Sequence, residues 1–272
     1  MRSRAVDTGQ GPQGGRETMM PGRPIEAHTP GARWLTQLRT AGRALLDLIY
    51  PPRCAGCGRV GDLLCEICLA QFEPIRPPVC QHCGRPIPHE GLCRTCQHTP
   101  SPLDGIAAAA VFAPPLRDVI HTFKYNNGRG LATPLAQQMA VAWQQGELSA
   151  DLIAPVPLHA ARLAERGYNQ SALLARALGP AVGVPVAETL LARQRATLPQ
   201  VTLGAEARRQ NVSGAFVCRG DVAGRRIVLV DDVCTTGATL EACAAALKAS
   251  GAGNVWAFTL ARARWNADDR AG

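Results

Sequence analysis

The stretch IVLVDDVCTTGATL, residues 227–240, decides the fold of this 272-residue chain. It begins with four apolar residues, 227–230, which is typical of a strand buried on both faces of a parallel sheet. Two acids, Asp231 and Asp232, come at the end of this strand. A turn that contains Gly237 then leads into a helical pattern. A strand, a turn and a helix in this order predict one unit of a parallel α/β sheet.

The same alternation of elements continues along the second half of the chain. Short apolar runs predict buried strands at 105–112, 152–156, 226–233 and 254–260. Helical spacing of apolar residues predicts helices at 115–125, 131–145, 170–178 and 237–250. The predicted fold class is therefore α/β, a parallel sheet flanked by helices. Such sheets bind their ligands at the carboxyl ends of the strands.

The first hundred residues follow a different pattern. Residues 1–32 are rich in Gly and Pro without apolar periodicity and are expected to form a disordered tail. Residues 33–100 are expected to form a helix over 33–50 that stops at Pro51-Pro52, followed by a cysteine-rich module. Residues 101–265 are expected to form the α/β domain, and 266–272 a second tail.

Composition excludes several classes of protein. Hydrophobic residues make up 46% of the chain, so global disorder is excluded. The sequence has no apolar run long enough for a membrane span and no secretory signal near its start, so we expect a soluble, cytoplasmic chain. The formal charge of +8 fits either solubility or an anionic partner, such as a phosphorylated small molecule or nucleic acid.

Eight of the 11 cysteines form four C-x-x-C pairs. They are Cys54/Cys57, Cys65/Cys68, Cys80/Cys83 and Cys93/Cys96. Two such pairs complete a tetrahedral thiolate site for Zn²⁺ with no open position, so the pattern predicts two structural zinc ions. We favour sequential pairing, with interleaved pairing as the alternative. His82, His89 or His98 are alternative ligands, and thiol redox chemistry and iron–sulfur binding are alternative uses of the cysteines.

The turn after the two acids has the chemistry of a phosphate site. The start of a helix presents backbone N–H groups and a positive dipole end, and nearby threonines add hydroxyl donors. Asp231 and Asp232 are suited to accept hydrogen bonds from a diol. A phosphate and a diol together indicate a ribose 5-phosphate. The alternatives are a simple capped loop and a receiver domain, for which too little chain follows. A P-loop motif is absent.

Several motifs together resemble a known family. IVLVDDVCTTGAT is similar to the phosphoribosyl-diphosphate signature of type I phosphoribosyltransferases. PPRCAGCG, FKYNNG, LIAPVPLHAARLAERGYNQ, LARQRATLPQ and ARRQNVSGAF stand in the order seen in the ComF family of competence-associated proteins. That family joins a double zinc ribbon to a phosphoribosyltransferase domain. The resemblance covers roughly residues 33–264, so it implies this architecture for most of the chain.

The resemblance also implies roles for individual residues. Asp231 and Asp232 are the implied catalytic residues and hold the ribose hydroxyls. The implied substrate-binding residues are Cys234, Thr235, Thr236, Gly237, Ala238 and Thr239 at the 5-phosphate, Val156, Pro157 and Leu158 at the pyrophosphate, and Arg166, Asn169, Gln170 and Lys124 near them. Lys124 is equally compatible with a plain helix-end lysine. A mobile flap is expected over 193–211, with Arg193, Arg195, Gln200, Arg208 and Asn211.

Two functions of different classes follow from the resemblance. The first is an enzyme that binds phosphoribosyl diphosphate with Mg²⁺ and transfers phosphoribosyl to an unknown nitrogenous acceptor, in DNA uptake, competence or nucleotide metabolism. The second is a non-catalytic DNA-uptake accessory that binds single-stranded DNA or a helicase partner and uses the pocket as a nucleotide sensor. Aromatic residues make up only 4%, which speaks against a base-stacking platform. A thiol oxidoreductase is a third hypothesis. Each of the three hypotheses is compatible with an oligomer.

Overall fold

The structure is a computed structural model that describes residues 51–125, 128–194 and 214–264. These residues belong to one compact unit, Pro51–Gly272. The predicted helix at 33–50, both predicted tails and the flap residues Arg195, Gln200, Arg208 and Asn211 lie outside the described residues. The proposed domain boundaries remain predictions.

The described residues form seven α-helices and six strands. The helices are α1 (Glu66–Ala70), α2 (Arg94–His98), α3 (Leu116–Tyr125), α4 (Ala132–Gln145), α5 (Ala160–Arg166), α6 (Gln170–Val182) and α7 (Ala238–Ala249). A 3₁₀ turn, Gly128–Leu131, precedes α4. The strands are β1 (Gly105–Phe112), β2 (Leu152–Pro155), β3 (Leu191–Arg193), β4 (Phe216–Cys218), β5 (Arg226–Cys234) and β6 (Asn254–Ala263).

Four strands make the central sheet, in the order β1-β6-β5-β2, and all neighbours are parallel. This confirms the predicted α/β fold class. The strand that carries the two acids, β5, lies inside the sheet between β6 and β2. Strands β3 and β4 form a separate antiparallel pair.

The core has two layers, one on each face of the sheet. Val228 and Val230 of β5 belong to the layer formed with α3, α4 and α6, where the Trp143 ring meets Phe258 edge-on with ring centroids 5.5 Å apart. Leu229 belongs to the other layer, which α7 covers. Alternation along one strand thus fills both layers, because successive side chains point to opposite faces.

Three elements extend beyond their predicted ends. β5 continues to Cys234, one residue past its predicted end at 233, and β6 continues to Ala263, because the two strands stay paired up to Cys234 and Arg262. Helix α6 continues past Pro180 to Val182. A proline in the last turn removes a single backbone hydrogen bond, so the helix ends only at Gly183, which has φ of 70°.

The helix α5 and the β3–β4 pair were not predicted. Helix α5 has only seven residues and none of them is fully buried, so it shows little apolar periodicity. The strands β3 and β4 have three residues each, which is too short for an alternation to be recognised.

The cysteine-rich module covers the outer edge of β1. The backbone N–H of Ile106 donates to the carbonyl of His82 at 2.7 Å, and that of Val111 donates to the carbonyl of Glu73 at 2.8 Å. An exposed strand edge is a template for unwanted pairing. The module therefore joins the sheet directly and protects its edge.

Candidate functional site

The turn between β5 and α7 encloses a small pocket. Its volume is about 100 Å³, and it is lined by Asp231 and by residues 233–240. We call residues 234–239 the phosphate loop, after the phosphate binding that the sequence predicts for them. Gly237 closes this loop with φ of 91°, a conformation that L side chains rarely adopt. The first turn of α7 aims its N–H groups towards the loop, as an anion site requires.

All six predicted residues of the phosphate loop therefore lie together. Cys234, Gly237 and Ala238 are buried, whereas Thr235 is exposed to solvent. The hydroxyl of Thr236 accepts a hydrogen bond from the backbone N–H of Ala238 at 3.4 Å.

Asp231 is held at the mouth of this pocket by two donors. The hydroxyl of Ser171 in α6 donates to its Oδ1 at 2.6 Å, and the backbone N–H of Asp232 donates to the same oxygen at 2.9 Å. Burial raises the pKa of Asp231 to about 7, and the charge of Asp232 acts in the same direction. Its carboxyl is therefore poised to change protonation near neutral pH.

Asp232 lies beside Asp231 and is 3% exposed. Its carboxylate forms an ion pair with Lys124, the basic residue in the last turn of α3. The predicted substrate-binding lysine thus neutralises one of the two predicted catalytic acids in this state. A contact between Lys124 and pyrophosphate remains a prediction.

The predicted pyrophosphate loop follows β2 and is fastened to both neighbouring elements. The backbone N–H of Val156 donates to the carbonyl of Val230 at 3.0 Å. Asn169 donates from Nδ2 to the carbonyl of Val156 at 3.0 Å, and its Oδ1 accepts from the N–H of Ser171 at 3.0 Å. Asn169 thus ties the loop to the start of α6. Pro157 and Leu158 are half-buried after it.

A second group of side chains joins α3 to the start of α6. Arg166 donates to Gln170 Oε1 at 2.5 Å and lies over the Tyr125 ring, 5.0 Å from its centroid. Tyr168 donates its hydroxyl to the carbonyl of Phe123. The predicted residues Arg166, Asn169 and Gln170 therefore stand in one turn, next to the helix that supplies Lys124.

The predicted flap is described only at its first residues. Arg193 ends β3, and its guanidinium lies over the Phe216 ring of β4, 5.5 Å from the centroid. The remaining flap residues that we named lie outside the described residues.

Three residues at the site were missed in the sequence: Ser171, Tyr168 and Arg262. A charged residue inside the apolar run of β6 was the signal for Arg262. Ser171 and Tyr168 gave no such signal, because their partners lie 60 and 45 residues away in the chain.

The eight paired cysteines form two groups of four in the sequential pairing. Tetrad 1 is Cys54, Cys57, Cys65 and Cys68, and tetrad 2 is Cys80, Cys83, Cys93 and Cys96. Within each tetrad the sulfur atoms lie within 4.8 Å of one another. Both tetrads contain only cysteine, so neither of them includes His82, His89 or His98.

The geometry of both tetrads fits zinc. Cys57 and Cys65 have sulfur atoms 3.7 Å apart, and Cys83 and Cys93 have theirs 3.8 Å apart. Four sulfurs at the usual Zn–S distance in a tetrahedron stand about 3.8 Å apart. Backbone donors lower the pKa of Cys54 to about 6 against the effect of burial, whereas burial and the neighbouring thiols raise the pKa of Cys68 in the same tetrad. Both tetrads are closed, as structural zinc sites are.

Comparisons with known proteins agree with this division. Residues 45–97 match the double zinc ribbon domain, and residues 168–270 match the phosphoribosyl transferase domain. The "DNA utilization protein YhgH" of Salmonella typhimurium is 34% identical over 205 residues, which cover 73% of this chain and 90% of that protein. "Competence protein F" of Haemophilus influenzae is 32% identical over 209 residues, which cover 74% and 90%.

The chain belongs to the ComF family. "Competence protein ComFC" of Bacillus subtilis, at 25% identity over 74% of this chain and 85% of that one, is a more distant relative. The recognition of ComF from the sequence is confirmed. So are the double zinc ribbon and the phosphoribosyltransferase-type domain of this ComF chain.

Two solved structures are among those that match part of this ComF chain. The glutamine phosphoribosylpyrophosphate amidotransferase from Bacillus subtilis matches with a TM-score of 0.34 and 24% identity, over 48% of this ComF chain and 26% of that chain. The purine phosphoribosyltransferase from Pyrococcus horikoshii matches with a TM-score of 0.31 and 21% identity, over 47% and 70%. Across the described parts of the ComF chain, no helix has the length and apolar character to span a membrane.

Proposed function

We propose that the chain binds phosphoribosyl diphosphate with Mg²⁺ and transfers its phosphoribosyl group to a nitrogenous acceptor. One observation carries this proposal: the adjacent acids Asp231 and Asp232 lie near the carboxyl end of β5, the strand that opens into the pocket of the phosphate loop. The pocket is suited to a 5-phosphate and the acids to the ribose diol. One strand–turn–helix unit thus contains groups suited to both the 5-phosphate and the diol of a ribose 5-phosphate.

The protein's part in the reaction is binding and orientation. The phosphate loop holds the 5-phosphate through backbone N–H groups. The two carboxylates accept hydrogen bonds from the 2- and 3-hydroxyls and face the positive charge that develops on the ribose as the bond from C1 to pyrophosphate breaks. An acceptor nitrogen then forms the new bond to C1, and pyrophosphate leaves. When bound, Mg²⁺ neutralises the charge of the pyrophosphate.

Four residues around the acids support this arrangement. Ser171 fixes the orientation of Asp231, and Lys124 compensates the charge of Asp232. Asn169 fixes the loop after β2, where the pyrophosphate is expected, and Arg166 stands in the same turn. Basic and amide groups on this side of the acids suit the anionic leaving group.

The test is the double variant Asp231→Asn with Asp232→Asn, examined by titration calorimetry with Mg²⁺ and phosphoribosyl diphosphate. We expect affinity to fall at least about 100-fold, since each hydrogen bond to a charged group contributes about 1.5–3 kcal/mol. Asp118→Asn, which changes an exposed acid paired with Arg117, is the control and should bind normally. Unchanged binding by the double variant would contradict the proposal. Turnover against a panel of nucleobases identifies the acceptor.

A role in DNA handling is the second candidate. Relatives are named for DNA utilization and competence. A groove of about 910 Å³ beside the second ribbon is lined by four arginines and two glutamates: Arg76, Arg85, Arg94, Arg264, Glu73 and Glu90. Arginines of this kind suit a phosphate backbone. Binding of single-stranded DNA that weakens with salt and is lost on zinc chelation, without turnover of phosphoribosyl diphosphate, would favour this function over transfer.

A further inference from the structure

The ion pair between Lys124 and Asp232 covers one oxygen of a proposed catalytic acid. Oδ2 of Asp232 is shielded from solvent, and the ammonium of Lys124 is the cation beside it. The side chain of Asp232 is 5% exposed and that of Lys124 is 22% exposed, so a ligand that arrives from solvent reaches the lysine side of the pair more easily. A ribose hydroxyl that is to bond to Oδ2 therefore has to displace Lys124.

Breaking this ion pair without a replacement is unfavourable. Asp232 follows Asp231 in β5, and a buried carboxylate next to a second acid is costly once its counter-charge is removed. The donors of this region, Ser171 and the N–H of Asp232, are already engaged with Oδ1 of Asp231. A ligand that offers Lys124 a new anion reduces the cost, whereas a ligand without such an anion does not.

The contacts at the end of α3 place Lys124 next to the loop where the pyrophosphate is expected. The carbonyl of the preceding residue, Phe123, accepts a hydrogen bond from the hydroxyl of Tyr168. Asn169, which follows Tyr168, donates to the carbonyl of Val156 in the loop after β2 at 3.0 Å. The end of α3 is thus joined to this loop through a single turn, and Lys124 lies between the loop and the acids of β5.

The residue type suits a side chain that changes partners. Lysine carries a compact ammonium on a flexible four-carbon stem, whereas the planar fork of arginine suits one fixed geometry. Arg166, in the same region, is held by Gln170 and lies over the Tyr125 ring. Lysine stands at only two positions, 124 and 248, among the 29 lysine and arginine residues of the chain. Lys124 is therefore the cation beside the acids that is best suited to exchange.

We propose that Lys124 is an exchangeable counter-ion, which pairs with Asp232 before a ligand binds and moves to the pyrophosphate group of the bound ligand. The proposal rests on the proposed function, because it requires a sugar phosphate in the phosphate loop. Ribose 5-phosphate brings hydroxyls for Asp232 but no anion for Lys124, since its phosphate is held in the loop. Phosphoribosyl diphosphate brings both. Lys124 is thus a specificity-determining residue that selects the diphosphate ester over ribose 5-phosphate.

The exchange predicts cooperation between two anions. Inorganic pyrophosphate draws Lys124 away from Asp232 and so frees the carboxylate for the hydroxyls of ribose 5-phosphate. Each ligand must then raise the affinity for the other by the same factor. Two anions bound side by side otherwise repel each other. Cooperation in the absence of Mg²⁺, which would itself bridge the two anions, is therefore a specific sign of the exchange.

Titration calorimetry of the full-length, zinc-loaded protein tests this prediction. Ribose 5-phosphate is titrated without added Mg²⁺, in the presence and absence of saturating inorganic pyrophosphate. We expect pyrophosphate to raise the affinity for ribose 5-phosphate by about 5-fold or more, a typical coupling factor. Lys124→Met should remove this gain, so that pyrophosphate leaves the affinity unchanged or lowers it. No gain in the unaltered protein, or an equal gain in Lys124→Met, would overturn the proposal.

The second lysine provides a matched control. Lys248 also lies in the last turn of a helix, α7, and pairs with Asp104 at 2.8 Å. Helix α7 begins at the phosphate loop and has 12 residues, so its last turn lies well over 10 Å from the loop, at about 1.5 Å per residue. Lys248→Met should keep the cooperation, and so should Lys124→Arg, which retains the charge. If Lys124→Met does not fold, Lys124→Gln, which keeps a donor for Asp232 but no charge, should lose the cooperation.

The preference between the two sugar phosphates gives an independent measurement. In Lys124→Met, phosphoribosyl diphosphate loses a charged contact, whereas ribose 5-phosphate no longer has a lysine to displace. We expect the affinity for phosphoribosyl diphosphate to fall about 10-fold or more, and that for ribose 5-phosphate to stay the same or rise. An equal loss for both ligands would show that Lys124 attracts anions in general and would contradict a role in specificity.

The same titrations separate this inference from the proposed function. If the unaltered protein binds neither ribose 5-phosphate nor phosphoribosyl diphosphate, both fail. If it binds phosphoribosyl diphosphate but Lys124→Met keeps the cooperation, the exchange alone is wrong. If the exchange is observed but no nucleobase is turned over, the exchange stands and the transferase activity fails.

Discussion

Burial of the Asp231 carboxyl favours its protonated form more strongly than its donors, Ser171 and the Asp232 N–H, favour the ionised form. Burial and the neighbouring Asp232 raise its pKa to about 7, whereas an unfolded chain would release that proton near pH 4. At this group the folded protein therefore binds more protons than the unfolded one between about pH 4 and pH 7. The contribution of Asp231 to stability consequently falls as the pH rises through this range. A ligand that needs the ionised carboxylate binds better as the pH rises through 7.

The variant Asp231→Asn should consequently be more stable than the unaltered protein at pH 8. Asn keeps an oxygen that accepts from Ser171 but carries no charge, so we expect an increase in melting temperature of about 2–6 °C, which disappears near pH 4. Asp151 is the control of opposite sign: hydrogen bonds from Arg226 lower its pKa to about 2, and Asp151→Asn should give no gain at pH 8. A variant Asp231→Asn that melts lower at pH 8 would show that the acid is a structural residue.

Residue types and their order predicted the acids and the loop, but not what holds them. Asp231, Asp232 and Gly237 follow one another in the chain, so a single strand–turn–helix pattern contains them. Ser171 and Arg262 reach the site only because α6 and β6 pack beside β5. Contacts of this kind depend on tertiary packing, which no local pattern encodes.

At the scale of elements, the turn from β5 to α7 depends on the missing side chain of Gly237. Its φ of 91° is unfavourable for other residues by about 1–2 kcal/mol, and a Cβ would also press on Ile106 at 3.3 Å. Gly251 has nearly the same φ, 89°, at the end of α7, but a Cβ there would meet its nearest neighbour at an ordinary 3.7 Å. Substitutions at the two glycines therefore distinguish the effect of backbone strain from the effect of displacing a residue at the pocket.

Gly237→Ala and Gly251→Ala should each lower the free energy of unfolding by about 1–2 kcal/mol. Only Gly237→Ala should also weaken the binding of phosphoribosyl diphosphate, because it alone displaces Ile106 and the loop. Denaturant unfolding and calorimetry measure the two effects separately. Equal affinities of the two variants would mean that the loop adapts and that the contact with Ile106 is unimportant.

The long elements were predictable because each carries its own pattern. Strand β1 has its predicted ends, and helices α3 and α4 differ from theirs by one residue at the start. Helix α6 extends four residues past its predicted end at 178 and contains Pro180 in its last turn, and Val186 packs so closely there that a Cβ on Gly179 would lie 2.4 Å from it. The β3–β4 pair joins chain segments more than 20 residues apart and depends on the rest of the fold.

At the scale of the whole molecule, the two ribbons differ in how they join the sheet. Tetrad 1 is part of the main core: Cys54, Cys65 and Cys68 are buried with Leu116 and Phe123 of α3. Tetrad 2 lies outside both core clusters of the described residues, and its ribbon instead covers the edge of β1 through His82. One ribbon therefore supports the core, and the other protects a strand edge.

This difference predicts unequal results for two matched variants that each remove the fourth ligand of a tetrad. Cys68 is 2% exposed and in the core, so Cys68→Ser should lower the melting temperature of the whole unit strongly, since structural zinc contributes folding free energy directly. Cys96→Ser should leave the α/β core folded, because only the second ribbon loses its metal, but it uncovers the edge of β1. An uncovered edge pairs with other chains, so this variant should self-associate in a concentration-dependent manner while its melting temperature changes less.

Calorimetry and light scattering on zinc-loaded samples distinguish the two outcomes. Equal melting temperatures of the two variants, or a monomeric Cys96→Ser protein at high concentration, would contradict the division of roles between the ribbons.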